Sequence, residues 1–301
     1  MRFTVTSFMV DSFAERCAQS MAAQSMAVNP RLGLVKTRRP AQVVVSDPRS
    51  GRRVDVTRLP PPPPLLPWVE RFWGTRWDLR GQAPHHARML SDPTVHVVVE
   101  RGRSRVVGVH RERFARVLEG EGRILGTQLW PGAVTGLSVC PASAWTDRVV
   151  PLAEVVAIDV VALEDAALAH ADDAEAFAVI AATLRPLLRP LDDGARLARA
   201  AVEHVTATPG VVRAAQLEAH LDLDPRALQR LFARCIGVTP KWVIRRVRLQ
   251  EAAARLAADA PPSLAELAAT LGYVDQAHFA RDFKAVVGLT PGAFVRQSRP
   301  A

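Results

Sequence analysis

Arg226, Gln229, Arg230 and Ala233 stand at i, i+3, i+4 and i+7, so any helix that holds them shows them on one face. Arginine offers a planar fork that bonds guanine O6 and N7 together, and glutamine pairs in the same two-point way with adenine N6 and N7. The chemistry these types offer at this spacing is the reading of base edges in a DNA groove. Farther along, Gln276, Ala277, Ala280 and Arg281, with Lys284 a turn on, occupy the corresponding places. Ala277 and Ala280 reach nothing more specific than a thymine methyl, so the second set is expected to discriminate less between sequences.

Each set needs a helix whose opposite face is buried. Arg230-Leu-Phe-Ala-Arg-Cys-Ile-Gly237-Val-Thr-Pro240 recurs as Arg281-Asp-Phe-Lys-Ala-Val-Val-Gly288-Leu-Thr-Pro291, and Asp224 and Leu228 align with Asp275 and Phe279 at the same offset. A duplicated structural unit accounts for this. Leu228, Leu231, Phe232 and Cys235 make the buried stripe of the first copy; Phe279, Phe283 and Val286 make that of the second. Asp224 and Asp275 are expected to N-cap the two helices, Gly237 and Gly288 to end them, and Thr-Pro to open the next. A shorter helix precedes each, about 212–220 and 263–271, the second opened by the capping box Ser263-Leu-Ala-Glu266. Two short helices at a tight turn are a helix-turn-helix, and the spacing predicts two of them. Between them one helix of ~19 residues, from Pro240 to about Asp259, spans ~28 Å. That length suits two reading helices about one DNA turn apart.

The rest of the chain divides by composition. Residues 1–64 are expected to be a disordered or loosely structured tail ending in the proline spacer Pro60 to Pro64. Residues 65–165 read as a β-rich domain, a cupin-like barrel or a sandwich, with strands at Val95 to Val99, Arg105 to Val109, Ile124 to Trp130 and Val134 to Val139 between Gly and Pro breaks. Residues 166–209 turn rich in Ala and Leu and read as a helical connector, and 210–301 hold the double helix-turn-helix. The fold class expected is therefore multidomain α+β. Net charge is +9. Residues 211–301 carry 13 Lys and Arg against 8 Asp and Glu, which fits a polyanionic partner.

Residues 211 to 299 resemble the C-terminal DNA-binding domain of the AraC/XylS family of bacterial transcription regulators. The resemblance lies in Leu228-Gln-Arg-Leu-Phe232, Gly237-Val-Thr-Pro240, Arg246-Val-Arg-Leu249, Leu271-Gly-Tyr273, Asp275-Gln-Ala-His-Phe279 and Gly288-Leu-Thr-Pro291. It implies that Arg226, Gln229 and Arg230 face base edges. Val69-Glu-Arg-Phe-Trp73, Leu90-Ser-Asp-Pro93 and Trp130-Pro-Gly132 more loosely resemble an uncharacterised sensor-type β domain found before such modules. Arg245, Arg246 and Arg248 on the connecting helix are equally suited to phosphates or to neighbouring helices.

Other chemistry finds little support. His85 and His86 with His96 and His110 lack the HxH spacing of a cupin metal site, and adjacent histidines rarely ligate together. Cys140 has no base or cluster of positive charge near it in sequence, so a buried small side chain is expected there; the three cysteines encode neither a disulfide framework nor a zinc site. GxSxG, GxGxxG and P-loop signatures do not occur in a suitable context. No catalytic residue, metal or cofactor is expected, and no apolar run reaches the ~18 residues of a membrane span. The sequence thus describes a cytoplasmic, effector-responsive transcription regulator that binds double-stranded DNA as a monomer or homodimer. Its further partners are an unidentified small molecule and RNA polymerase. The rival reading is a small-molecule-binding or catalytic β domain, for which the helical module is a tether and Trp68, Trp73, Trp77, Trp130 and Trp145 supply an aromatic-lined pocket.

Overall fold

The computed structural model describes residues 53–298. It opens with strand β1 (Arg53–Leu59), paired antiparallel with β2 (Val69–Asp78) so that Arg58 faces Trp73 and Leu59 faces Phe72. The expected tail is thereby corrected at its end: Val54, Val56 and Arg58 alternate toward one face, a pattern too short to separate strand from irregular chain by sequence. The proline spacer follows the strand, extended at Pro62 and then turning into a short 3-10 helix at Pro63–Leu65, and residues 1–52 lie outside the described residues.

The other strands are β3 (His85–Leu90), β4 (His96–Val99), β5 (Arg105–Val107), β6 (Arg113–Leu118), β7 (Glu121–Leu129) and β8 (Val149–Pro151). Six of them form an antiparallel sheet in the order β1-β2-β7-β4-β5-β8, and β3 pairs with β6 in a two-stranded ribbon. Side chains alternate between faces along each strand. The register sets Arg71, Gln128 and His96 in one row across β2, β7 and β4, with Trp73, Gly126 and Val98 in the next. That face looks toward the ribbon. The opposite face carries Phe72, Val97, Val99, Leu125 and Leu129 into a core shared with Leu163, Phe177, Ile180 and Leu184.

Those last four belong to helices that back the sheet. The expected strand at Val134 to Val139 is instead a single helical turn, α1 (Val134–Leu137), entered from Gly132 at φ +84°. A short apolar run does not by itself separate strand from helix. Helices α2 (Val160–Ala169) and α3 (Asp173–Leu184) follow, with Phe72 and Phe177 stacked at 4.8 Å. They are a layer of the β domain, where the sequence placed a connector from 166 onward. Only α4 (Asp193–Ala207) leaves this core; its Leu197, Ala198, Ala201 and Val202 join the first helix-turn-helix. Cys140 is buried, as expected, but it is disulfide-bonded, where the sequence reading found no disulfide framework.

The C-terminal part is helical throughout: α5 (Ala214–Leu221), α6 (Pro225–Cys235), α7 (Pro240–Leu256), α8 (Leu264–Thr270), α9 (Gln276–Val287) and α10 (Pro291–Ser298). Its α7 has 17 residues and so spans ~26 Å, ending slightly before the sequence suggested. Two cores form around it. Val243 and Ile244 enter the first with Leu228, Leu231 and Phe232, while Leu249, Ala253 and Leu256 enter the second with Phe279 and Phe283. Among the described residues no helix is long and apolar enough to cross a membrane.

Candidate nucleic-acid interface and cavity

Capping fixes the start of each outer helix. Asp224 Oδ1 accepts from the Ala227 amide at 2.9 Å, and Asp275 Oδ1 from the His278 amide at 2.6 Å. The Ala227 amide bond, with Arg226 and Arg230 nearby, holds the Asp224 carboxyl below the ordinary range. Helix α6 then turns Leu228, Leu231, Phe232 and Cys235 inward, and α9 turns Phe279, Phe283 and Val287 inward. Both runs close on glycines in the left-handed region, Gly237 at φ +95° and Gly288 at φ +88°. A Cβ at Gly237 would also lie 2.6 Å from the Ala142 carbonyl of the β domain, so close approach and backbone conformation both require glycine there.

The sequence-derived candidates fall on the outer faces. Arg226, Gln229 and Arg230 on α6, and Gln276, Ala277, Arg281 and Lys284 on α9, are all exposed. Ala280 is half-buried, and Val274, just before α9, is 89% exposed beside them. His278 is exposed, its ring edge-on to Tyr273 at 5.2 Å.

The arginines of α7 behave differently. Arg245 Nε donates to Asp282 Oδ1 at 2.7 Å, the Tyr273 hydroxyl donates to Asp282 Oδ2 at 2.7 Å, and Arg248 lies over the Tyr273 ring at 4.1 Å. Burial pushes the Asp282 carboxyl up, but the bonds from Arg245 and Tyr273 outweigh it and hold the group below the ordinary range. Arg246 is buried, stacked over Trp242, with Nη2 donating to the Arg111 carbonyl at 2.7 Å; burial lowers its pKa to about 10. These side chains hold the protein together. Sequence left them undecided because their partners stand far along the chain. On α6, Arg234 is likewise engaged, with Nη1 at 2.6 Å from Asp192 Oδ2.

Between sheet and ribbon lies a cavity of about 340 Å³. Its walls are alternate residues of seven strands, among them Val54 and Val56 of β1, Trp73 of β2, Val98 of β4, Val107 of β5, Phe114 and Leu118 of β6 and Ile124 of β7. The Trp73 indole crosses β7 at Gly126, where any side chain would collide with the ring. Trp73 Nε1 donates to His96 Nδ1 at 3.1 Å, which puts the ring proton on Nε2, 3.3 Å from Thr94 Oγ1. Burial drives the His96 pKa down to about 4, against the pull of Glu70, so the ring is neutral. Beside it Gln128 Nε2 donates to Glu70 Oε2 at 3.1 Å. Of the five tryptophans singled out above, Trp73 lines this cavity, whereas Trp68 and Trp145 fill the core behind the sheet. Among the described residues no group of three or more His, Cys, Asp or Glu is placed to hold a metal ion.

The fold and the two outer faces define a class: a β domain with a cavity, joined to a double helix-turn-helix, the architecture of a DNA-binding transcription regulator. Residues 217–297 match the family model described as a helix-turn-helix domain and are a domain of the AraC type; residues 57–151 match a domain of unknown function (DUF6597). Similar solved structures include a probable AraC family transcriptional regulator from Rhodopseudomonas palustris, at 27% identity over 35% of this chain and 99% of that one, with a TM-score of 0.32. ToxT from Vibrio cholerae is 9% identical over 83% of this chain and 99% of its own, at TM-score 0.38. ToxT bound to an unsaturated fatty acid is 11% identical over 84% and 96%, at 0.36. The sequence matches no curated protein.

Proposed function

We propose that the protein is a sequence-specific regulator that reads two successive major grooves, with α6 in one and α9 in the next, under the control of a small molecule in the β-domain cavity. One observation carries the DNA reading. Arg226, Arg230, Arg281 and Lys284 are exposed and form no salt bridge among the described residues, while Arg234, Arg245 and Arg255 in the same domain each pair with a carboxylate. Cations outside any salt bridge among the described residues, on helices held rigid by capped ends and buried aromatic residues, are placed to meet phosphates and base edges. Arg226, Gln229 and Arg230 carry base discrimination, and Gln276, Ala277, Arg281 and Lys284 carry the second contact.

Effector control draws support from the cavity, whose volume lies in the range of small-molecule sites. The double motif lets a monomer cover two grooves, and a homodimer would extend the footprint; RNA polymerase is the further partner such a regulator meets in the cytoplasm. In this reading the chain binds and does not turn over a substrate. Genome-wide selection of DNA fragments by the purified protein tests it, repeated with Arg230→Ala plus Arg281→Ala. A motif of two blocks about one turn apart, lost in the double variant, is expected. No enrichment at any salt concentration would shift the function to the β domain.

A further inference from the structure

We infer that the β-domain cavity takes an uncharged, largely apolar small molecule bearing a single hydrogen-bonding group. This rests on the reading of that cavity as the effector site, and it follows from how the charges around it are used. Arg71 Nη2 pairs with Glu70 Oε1 at 2.8 Å. Arg105 and Arg116 share Glu100, at 2.6 and 2.5 Å. Asp92 Oδ1 accepts from Gln250 Nε2 at 2.5 Å. Arg58 has no ion-pair partner among the described residues, and it is exposed to solvent. A charged ligand would therefore give up its hydration where the buried counter-charges are already committed, a cost that an apolar body does not meet.

What remains open to a ligand is the valine, leucine and isoleucine wall, the rings of Trp73 and Phe114, the Thr75 and Ser91 side chains, and one buried polar atom without a partner. His110 Nε2 is buried and has no hydrogen-bond partner among the described residues, and burial lowers the pKa of its ring, which keeps it neutral. A neutral imidazole nitrogen answers one donor or acceptor of a ligand. The volume suits a fused bicyclic ring.

Calorimetric titration of the full-length protein with naphthalene-2-carboxamide, 2-naphthoate and 2-naphthylmethylammonium separates the ligand classes on one ring system. The amide is expected to bind at least about tenfold more tightly than either ion. In Glu100→Gln, Arg105 and Arg116 lose their shared carboxylate, and the preference should swing to 2-naphthoate. Binding of either ion to the unmodified protein as tightly as the amide, or binding of none of the three, overturns the inference. Amide binding that leaves DNA affinity unchanged defeats the effector reading and leaves the ligand class standing.

A separate observation concerns how α7 meets this cavity. Trp242, Arg246 and Gln250, at i, i+4 and i+8, form one stripe along the helix. Trp242 Nε1 and Arg246 Nη2 donate to the carbonyl of Arg111, at 3.3 and 2.7 Å, next to cavity-lining His110. Gln250 ends on Asp92, itself in the cavity wall, whose Oδ2 lies 3.4 Å from Gln128 Nε2. The same helix supplies residues to the cores of both helix-turn-helices. We propose that this stripe couples the cavity to DNA binding: a filled cavity displaces Asp92 and the Arg111 carbonyl, and α7 carries the shift to both outer helices.

The coupling is measurable without a ligand. Val98→Phe fills the cavity, and Val56→Phe on the edge strand is a second filler should the first not fold. Either is expected to change affinity for the selected duplex about threefold or more, and Gln250→Met, which keeps length and loses the donor, should abolish that change. A filler effect of equal size with Gln250 and with Met, or no effect of either filler in folded protein, overturns the proposal.

Discussion

The two helix-turn-helices share a plan and differ in what they face. Both cap the outer helix with an aspartate and end it on a left-handed glycine. The first presents Arg226, Gln229 and Arg230, and its helix end is fastened to the rest of the molecule: Arg234 to Asp192, and the Gly237 carbonyl accepting from Thr146 Oγ1 at 2.6 Å. The second presents alanines among its polar side chains and is fastened to α7 through Asp282 and Tyr273. Its core is aromatic, with Phe283 in contact with both Phe279 and Phe294. Duplication has thus kept what local backbone physics demands, the caps and the inward stripe. The outward face and the anchoring have diverged, and the proposed discrimination and control rest on those.

The largest effects should come from the shared plan. Phe232→Ala and Phe283→Ala, at equivalent fully buried positions, are each expected to cost ~3–5 kcal/mol in denaturant unfolding, and a loss in only one copy would break the equivalence. Next comes the divergent face. Arg230→Ala should remove ~1–3 kcal/mol of discrimination at one base pair, whereas Arg281→Ala should weaken binding evenly across sequences; base-substitution profiles for each half-site decide this. Asp282→Asn sharpens the difference in anchoring, at about 1–2 kcal/mol. Because the folded Asp282 carboxyl titrates below its unfolded value, its contribution is complete above the unfolded pKa and is lost as pH falls through the folded one. Acid unfolding of the second unit should therefore lose part of its pH dependence in Asp282→Asn. Smallest is Ala277→Ser, expected to change DNA affinity by less than ~0.5 kcal/mol; a large change would promote the second helix to an equal reader.

The helical part was legible because its rules act over about ten residues. Asp224, Pro225 and the stripe from Leu228 to Cys235 announce one helix between them, and a repeat at constant offset removes the remaining ambiguity. The candidate base-facing side chains were fixed by the same periodicity and are exposed as expected. Strands β4, β5 and β7 were visible as valine- and leucine-rich runs. The cavity was not, since it depends on registers such as His85 opposite Leu118, set between segments far apart in the chain. Nor was the choice made by Arg245, Arg246 and Arg248, whose partners Asp282, Arg111 and Tyr273 come near only once the chain is packed.

Helix α7 lends one side to each core, Val243 and Ile244 to the first and Leu249 and Leu256 to the second, with no loop between them. The two outer helices are in this way keyed to a single shaft, and their angular phase is set when the chain folds. One extra base pair between the two blocks of a binding site turns them relative to each other by roughly a tenth of a revolution. In the proposed two-groove reading a shaft of this kind would not follow such a twist, so the DNA would have to absorb it, and a site out of phase would be disfavoured by torsion.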